Sequence, residues 1–228
     1  MNLGVAVGGL IAGIVVWAII VRQLTVKPWE LQPAGPTDEL QEISRSKTIK
    51  VGLWVLLAVI TSLFSLFIAA YYMRMGGHGD ALALDWTPVP EPRILWLNTA
   101  LLVGSSIAMQ WARTNVLRGR RQGAFQALAI AGLATIAFLA GQIFAWQQLA
   151  EAGFFSPRNP ALAFFYLLTA VHGAHLLGGL FVWVRTLLRM RRREHELIDA
   201  RLSVELCAVY WHYLLIVWLV LFALLLST

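Results

Sequence analysis

Charge is what this chain has least of. Only 13% of its 228 residues are Asp, Glu, Lys or Arg, against 59% that are hydrophobic. Soluble domains carry about 25% charged residues, so an ordinary water-soluble fold is excluded. Cysteine is nearly absent too. Cys207 stands alone, which rules out a disulfide within the chain and a cysteine-based metal cluster. No internal repeat is visible, so an inverted-repeat transporter loses support. No glycine loop is placed to hold phosphate, no Walker-type motif is present, and no nucleophile stands with a base in a recognisable pattern.

What the chain has instead is apolar length. Six runs, near 3–22, 50–73, 94–113, 124–148, 160–184 and 203–227, are long enough to be membrane spans. A bilayer core about 30 Å thick needs about 20 apolar residues in a helix. Unpaired backbone groups cannot sit in lipid, so these runs are expected to be helices, and their spacing excludes a barrel of short alternating strands.

The net charge of +6 is distributed by loop. Arg22, Lys27, Arg45, Lys47 and Lys50 lie in the first loop, Arg113, Arg118, Arg120 and Arg121 in the third, and Arg185, Arg189, Arg191, Arg192, Arg193 and Arg201 in the fifth. The second and fourth loops hold only Arg74, Arg93 and Arg158, so 15 basic residues fall on one side and 3 on the other. The positive-inside rule places the larger group in the cytoplasm and both termini outside. Short basic loops of this kind set topology, so no nucleic-acid partner is expected. The first run has no basic residues before it and is too long for a signal-peptide core, which predicts a retained helix.

Between the first two spans, Pro28, Pro33 and Pro36 break helix in a cytoplasmic linker, and Thr37 with Asp38 is placed to cap a short surface helix through Arg45. The outer loop 75–93 holds His78 and Asp80, which could touch a metal, but two ligands without a third are weak evidence and a glycine turn is the expected reading. The fold expected is an all-α integral membrane protein with six transmembrane helices. Residues 1–48 form the first helix and linker, and residues 49–228 a bundle of five helices.

Polar residues inside the spans carry the remaining information. The last span reads SVELCAVYWHYLLIVWLVLFALLLST and holds Glu205, Tyr210, Trp211 and His212. A charged side chain at membrane depth costs about 2.5–3.5 kcal/mol on insertion scales unless partners offset it. This helix therefore faces protein on at least one side. The fifth span carries His172 and His175 with Gly178 and Gly179, and His172, His175 and Gly179 share one face. Two histidines one turn apart raise a metal or haem reading. No carboxylate lies at the same depth on the fifth span, and hydrogen bonds between helices are the plainer use of them. At 1.5 Å per residue, His175 lies roughly 14 Å and His212 roughly 12 Å from the cytoplasmic ends of their helices, in one layer. A buried seam is expected from Glu205 and His212 on the sixth span and His175 on the fifth. Trp211 and Trp218 share another stripe. Ten tryptophans in all need no ligand, because indoles favour membrane interfaces.

These motifs together resemble subunit III of the haem–copper respiratory oxidases, the cytochrome c and quinol oxidase family. The last helix of that family reads Glu, four residues, Tyr-Trp-His and then Trp, matched here by Glu205, Tyr210, Trp211, His212 and Trp218. The preceding helix reads His-Gly-x-His with glycine soon after, matched by His172, Gly173, His175 and Gly179. An earlier helix is matched by Gly141, Phe144, Gln148 and Glu151, and a Leu-Asn-Thr opening by Leu97, Asn98 and Thr99, with Ser105 and Ser106 following. The matches run in order over about 49–228.

The resemblance implies a five-helix subunit III-like domain without cofactors or catalytic residues of its own. Haems and copper would sit in partner subunits I and II. Subunit III would pack beside subunit I, bind phospholipid between its helices, and support proton uptake and durability. It implies a bacterial cytoplasmic membrane protein whose last helix ends outside, as the charge distribution does. Two positions depart from the family: Ile60 stands where a membrane-buried glutamate is usual, and Leu215 where Asp commonly follows Tyr-Trp-His. Any proton-related role of those acids does not carry over. Six spans also lie between the family's seven-helix and five-helix forms. The competing readings are the related accessory subunit of nitric oxide reductases, a stand-alone transporter, and a small b-type cytochrome using the histidines of spans five and six.

Overall fold

The computed structural model describes residues 38–75, 94–151, 160–191 and 197–226. The expected first span, the linker prolines, and His78 and Asp80 lie outside the described residues. Within them are five helices: α1 Asp38–Met75, α2 Ile94–Leu117, α3 Arg121–Leu149, α4 Pro160–Arg191 and α5 Leu197–Leu226. All five are long and apolar enough to cross a membrane, over Ser46–Arg74, Ile94–Leu117, Arg121–Leu149, Ala161–Arg191 and Arg201–Leu226.

Most of these helices run past the apolar stretches that predict them, into the basic residues. Lys and Arg are good helix formers, and their long stems let the charge reach water while the backbone stays helical. For the same reason the short surface helix expected from Asp38 is not separate. It continues without a break into the second span, giving one helix of 38 residues. No proline or glycine interrupts Asp38 to Val51 to stop it.

The chain divides into two compact units at Leu63 and Phe64, inside α1. In the first unit, the exposed Thr61 and Ser62 hydroxyls donate to the carbonyls of Leu57 and Ala58, one turn back. In the second unit, α2 packs on α3, α3 on α4, α4 on α5, and α5 back on α2, so these four helices close a ring. The last turns of α1 lie on α4, with Phe64 against His172 and His175 and Tyr71 edge-on to Phe164.

The turn between α2 and α3 shows why those two are antiparallel neighbours. Gly119 has φ +70, and the amides of Gly119 and Arg120 donate to the carbonyls of Val116 and Asn115. This is a glycine C-cap that needs the left-handed conformation and reverses the chain in three residues.

The core of the second unit has two layers. The layer nearer the basic loops is rich in small residues, with Ala108, Ala112, Ala124, Ala127, Ala131 and Ala208 around Met109, Trp183 and Trp211. The other layer is built on large side chains, with Leu102, Phe138, Phe165, Trp218 and Phe222. Lipid tails are as apolar as leucine, so burying apolar surface does not drive these helices together. Close packing and hydrogen bonds between them must do so.

Candidate functional site: the polar contacts between α2 and α5

The motif residues of α5 meet α2 in an antiparallel ladder. From the basic end outward, the Arg201 guanidinium donates to the Leu117 carbonyl (3.3 Å), and Arg113 pairs with Glu205 at 3.9 Å. His212 then meets Gln110 through Nε2 (3.2 Å) and Ser106 through Nδ1 (2.5 Å). Trp211 Nε1 donates to Ser105 Oγ (3.0 Å), and Trp218 Nε1 to Thr99 Oγ1 (3.0 Å). At the far end, Trp96 lies edge-on to Phe222.

The centre of the ladder reaches a third helix. Trp211 Nε1 also donates to Thr135 Oγ1 of α3 (3.0 Å), and the Ser105 and Thr135 hydroxyls lie 2.7 Å apart. Both hydroxyls are also within hydrogen-bond reach of the Ala131 carbonyl. Ser105 and Thr135 are fully buried and Trp211 nearly so. A hydroxyl accepts while it donates, so one indole N–H, two hydroxyls and one carbonyl satisfy one another where α2, α3 and α5 meet.

The structure takes His212 to a different neighbour from the one expected. Its ring nitrogens face Ser106 and Gln110 on α2, not His175 on α4. His212 and Tyr210 are two positions apart, so they point to different sides of α5. Tyr210 takes the α4 side, where its hydroxyl donates to the His175 carbonyl (3.0 Å). A Cβ on Gly179 would come within 2.8 Å of the Tyr210 ring, so this glycine makes room for that tyrosine. The Arg113–Glu205 pair is about one-third exposed on each side. At that exposure it is a weak contributor to stability.

Among the described residues, the two α4 histidines make no hydrogen bond across helices through their rings. His175 Nδ1 lies 2.7 Å from the Val171 carbonyl of its own helix, one turn back. His172 is fully buried and has no hydrogen-bond partner at either ring nitrogen among the described residues. Its contacts are rings: Phe64, Phe138 and Trp218, with centroids 6.4, 6.0 and 5.3 Å away. Among the described residues, no three His, Cys, Asp or Glu side chains converge where a metal ion would bind.

The remaining motif residues separate into two places. Asn98 is buried and donates to Gln142 of α3 (3.4 Å), with Gly141 close behind its side chain. Phe144 and Gln148 lie on the exposed side of α3, away from this contact, and Glu151, two residues past the end of α3, is exposed as well. Sequence reasoning missed Thr135, Trp146, Thr169, Trp183 and Gly132. Trp183 Nε1 donates to the Leu128 carbonyl (2.8 Å), and Trp146 Nε1 to Thr169 Oγ1 (3.1 Å), tying α3 to α4 in both layers. Their signal was present as tryptophans inside spans, but spacing alone does not separate an indole that bonds inward from one that faces lipid. Trp54, Trp96 and Trp111 are about half exposed.

Two arginines that the charge count assigned to loops have further uses at the helix ends. Arg121 donates through Nε to the Met190 carbonyl at the end of α4 (3.1 Å), and its Nη2 reaches the same oxygen. Arg201 does the same for α2, as described above. Each places a cation at the negative end of a helix dipole.

The family described as cytochrome c oxidase subunit III matches residues 37–227 of this sequence. The chain belongs to the cytochrome c oxidase subunit III family. It is 27% identical over 179 residues to the cytochrome bo(3) ubiquinol oxidase subunit 3 of Pseudomonas putida, covering 75% of this chain and 82% of that one. It is 30% identical over 170 residues to the cytochrome c oxidase subunit 3 of Synechocystis sp., covering 75% and 72%. It is 28% identical over 189 residues to the probable cytochrome c oxidase subunit 3 of Mycobacterium bovis, covering 82% and 91%. For a subunit III, the motif residues thus have a physical reading. Tyr210, Trp211, His212 and Trp218 each bond to a neighbouring helix, and Gly179 and Gly141 let motif side chains approach closely.

Proposed function

We propose that this chain is the accessory subunit of a proton-translocating terminal oxidase in a bacterial cytoplasmic membrane. It packs against the large haem–copper subunit, carries no redox centre or catalytic residue itself, and leaves the haems and copper to subunits I and II. It holds phospholipid against its helices and supports proton uptake and the durability of the complex. The basic loops lie in the cytoplasm and both termini outside. An N-terminal helix precedes a five-helix domain over 49–228, giving six spans. Glu205, His212, His172 and His175 serve structure. With Ile60 and Leu215 apolar, no carboxylate at those positions takes part in proton movement.

The observation that carries this reading is the family match across residues 37–227. The geometry supports it, because the polar motif residues of α5 are used in contacts between helices. The relatives named above are oxidase subunits, so the nitric oxide reductase alternative is not favoured. Purification of the chain from its native membranes in mild detergent, followed by an optical spectrum, tests the proposal. The expected result is a co-purifying large subunit with haem bands, and no haem band in the isolated chain. A large subunit of the nitric oxide reductase type, or haem bound by the chain alone, would overturn it.

A further inference from the structure

Two buried amides in the layer of large side chains are only half satisfied. Asn98 on α2 and Gln142 on α3 are 1% and 4% exposed. Asn98 Nδ2 donates to Gln142 Oε1 at 3.4 Å, a long bond. Asn98 Oδ1 and Gln142 Nε2 have no partner among the described residues. Two facing primary amides can close a ring of two bonds, yet here only one forms. Gly141 shows why. A Cβ there would lie 2.1 Å from Asn98 Oδ1, so this oxygen is turned toward the glycine backbone, and Gln142 Nε2 does not bond to it.

The side chains one turn away are apolar. They are Leu95 and Leu102 on α2, and Phe138 and Ala145 on α3, all buried in the same layer. Buried amide groups are nearly always hydrogen-bonded, to protein or to ordered water. The unpartnered nitrogens of His172 are a different case. That ring lies among Phe64, Phe138 and Trp218, whereas a buried water needs two to four polar partners. The Asn98–Gln142 contact offers an open acceptor and an open donor on two side chains that already touch.

The chemistry of these two atoms selects the ligand. Asn98 Oδ1 accepts and Gln142 Nε2 donates. Interchanging oxygen and nitrogen in both amides keeps their mutual bond and still leaves one donor and one acceptor. A cation would satisfy the oxygen but not the NH2 group, and an anion the reverse. A molecule that both donates and accepts satisfies both, and water is the smallest. Gly141 is itself only partly buried and brings no side chain to that side. Asn98 lies four residues after the start of α2 at Ile94, and Gln142 seven before the end of α3 at Leu149, roughly 6 and 10 Å inside those ends. Both ends are remote from the basic loops and near the aqueous phase on that side.

We infer that Asn98 and Gln142 bind one ordered water molecule, which accepts from Gln142 Nε2, donates to Asn98 Oδ1 and bridges α2 to α3.

The test uses the chain in the complex that it forms in its native membrane. A cryo-electron microscopy map fine enough to show ordered water should hold a compact peak within hydrogen-bond distance of both amides. Hydroxyl radicals generated by X-rays should label Phe138 and Leu102, one turn from the amides, although both are buried. Leu128, equally buried in the other layer, should stay unlabelled. Asn98→Leu combined with Gln142→Leu exchanges both amides for apolar groups of similar size and strands neither partner. That variant should lose the peak and show several-fold less labelling at 138 and 102, and His172→Phe should keep both signals. A map that shows buried waters elsewhere in the complex but none here would overturn the inference, as would labelling that the double variant leaves unchanged. Elongated density, or a peak held by Asn98 Oδ1 alone, would overturn it too. Were the double variant not to fold, the map of the unaltered chain decides by itself.

Discussion

Two imidazoles inside the second unit should respond to substitution in opposite directions. His212 satisfies Ser106 and Gln110, so His212→Leu strands a hydroxyl and an amide oxygen within a span. Leaving the buried Ser106 hydroxyl unpaired costs about 1–3 kcal/mol. Thermal unfolding of the detergent-solubilised protein should shift down accordingly, and assembly should loosen with no haem band lost. His172 sits among three aromatic rings with both nitrogens unpartnered among the described residues. An apolar ring of similar size removes a polar group that gains nothing there, so His172→Phe should leave the unfolding temperature unchanged or raise it. A fall as large as that of His212→Leu would show that the buried imidazole has a partner after all. Trp211→Phe keeps most of the packing but removes the N–H that both Ser105 and Thr135 accept. Interhelical hydrogen bonds in membranes average about 0.6 kcal/mol and reach about 1.7. The loss should fall near the upper figure, because one donor serves two acceptors, and it is read from the same melting curve.

Between elements, close approach decides. Trp183 lies against Gly132, where an added Cβ would overlap its indole ring, and the same indole N–H holds the Leu128 carbonyl. Gly132→Val should therefore push α3 and α4 apart, cost about 1–3 kcal/mol as an overpacked core does, and lower the yield of folded protein. Gly178 is the control on α4, since a Cβ there meets nothing within 4 Å. Gly178→Ala should stabilise by about 0.5–1 kcal/mol through helix propensity alone. Equal behaviour of the two variants would count against the packing account. At the basic end, Arg121→Gln removes the cation beside the last carbonyls of α4. The expected loss is about 0.3–1 kcal/mol and should shrink as salt is added, because dipole interactions are screened.

For the whole molecule, the existence and order of the helices were legible in the sequence, and much of the site was not. Apolar runs of about 20 residues have one stable form in a bilayer, so α1 to α5 could be placed before any coordinates. Their ends were missed, because basic residues prolong a helix into the interface as readily as they end an apolar run. Motif residues were found by pattern, but the partners of His212 and His175 were not. Depth along two helices is calculable from rise per residue, whereas rotation about each axis depends on packing with every neighbour. Thr135 carried no signal, and Trp183 none that separates an inward indole from a lipid-facing one, for the same reason: their importance lies in what they face. The sequence by itself determined that this is a membrane protein of the subunit III family, because composition, apolar length and ordered motifs are properties of the chain. The tertiary structure decided that α5 spends His212, Trp211 and Trp218 on α2 and Tyr210 on α4. It also decided that the Gln110 amide oxygen meets His212, because which groups pair is settled only when four helices close on one another.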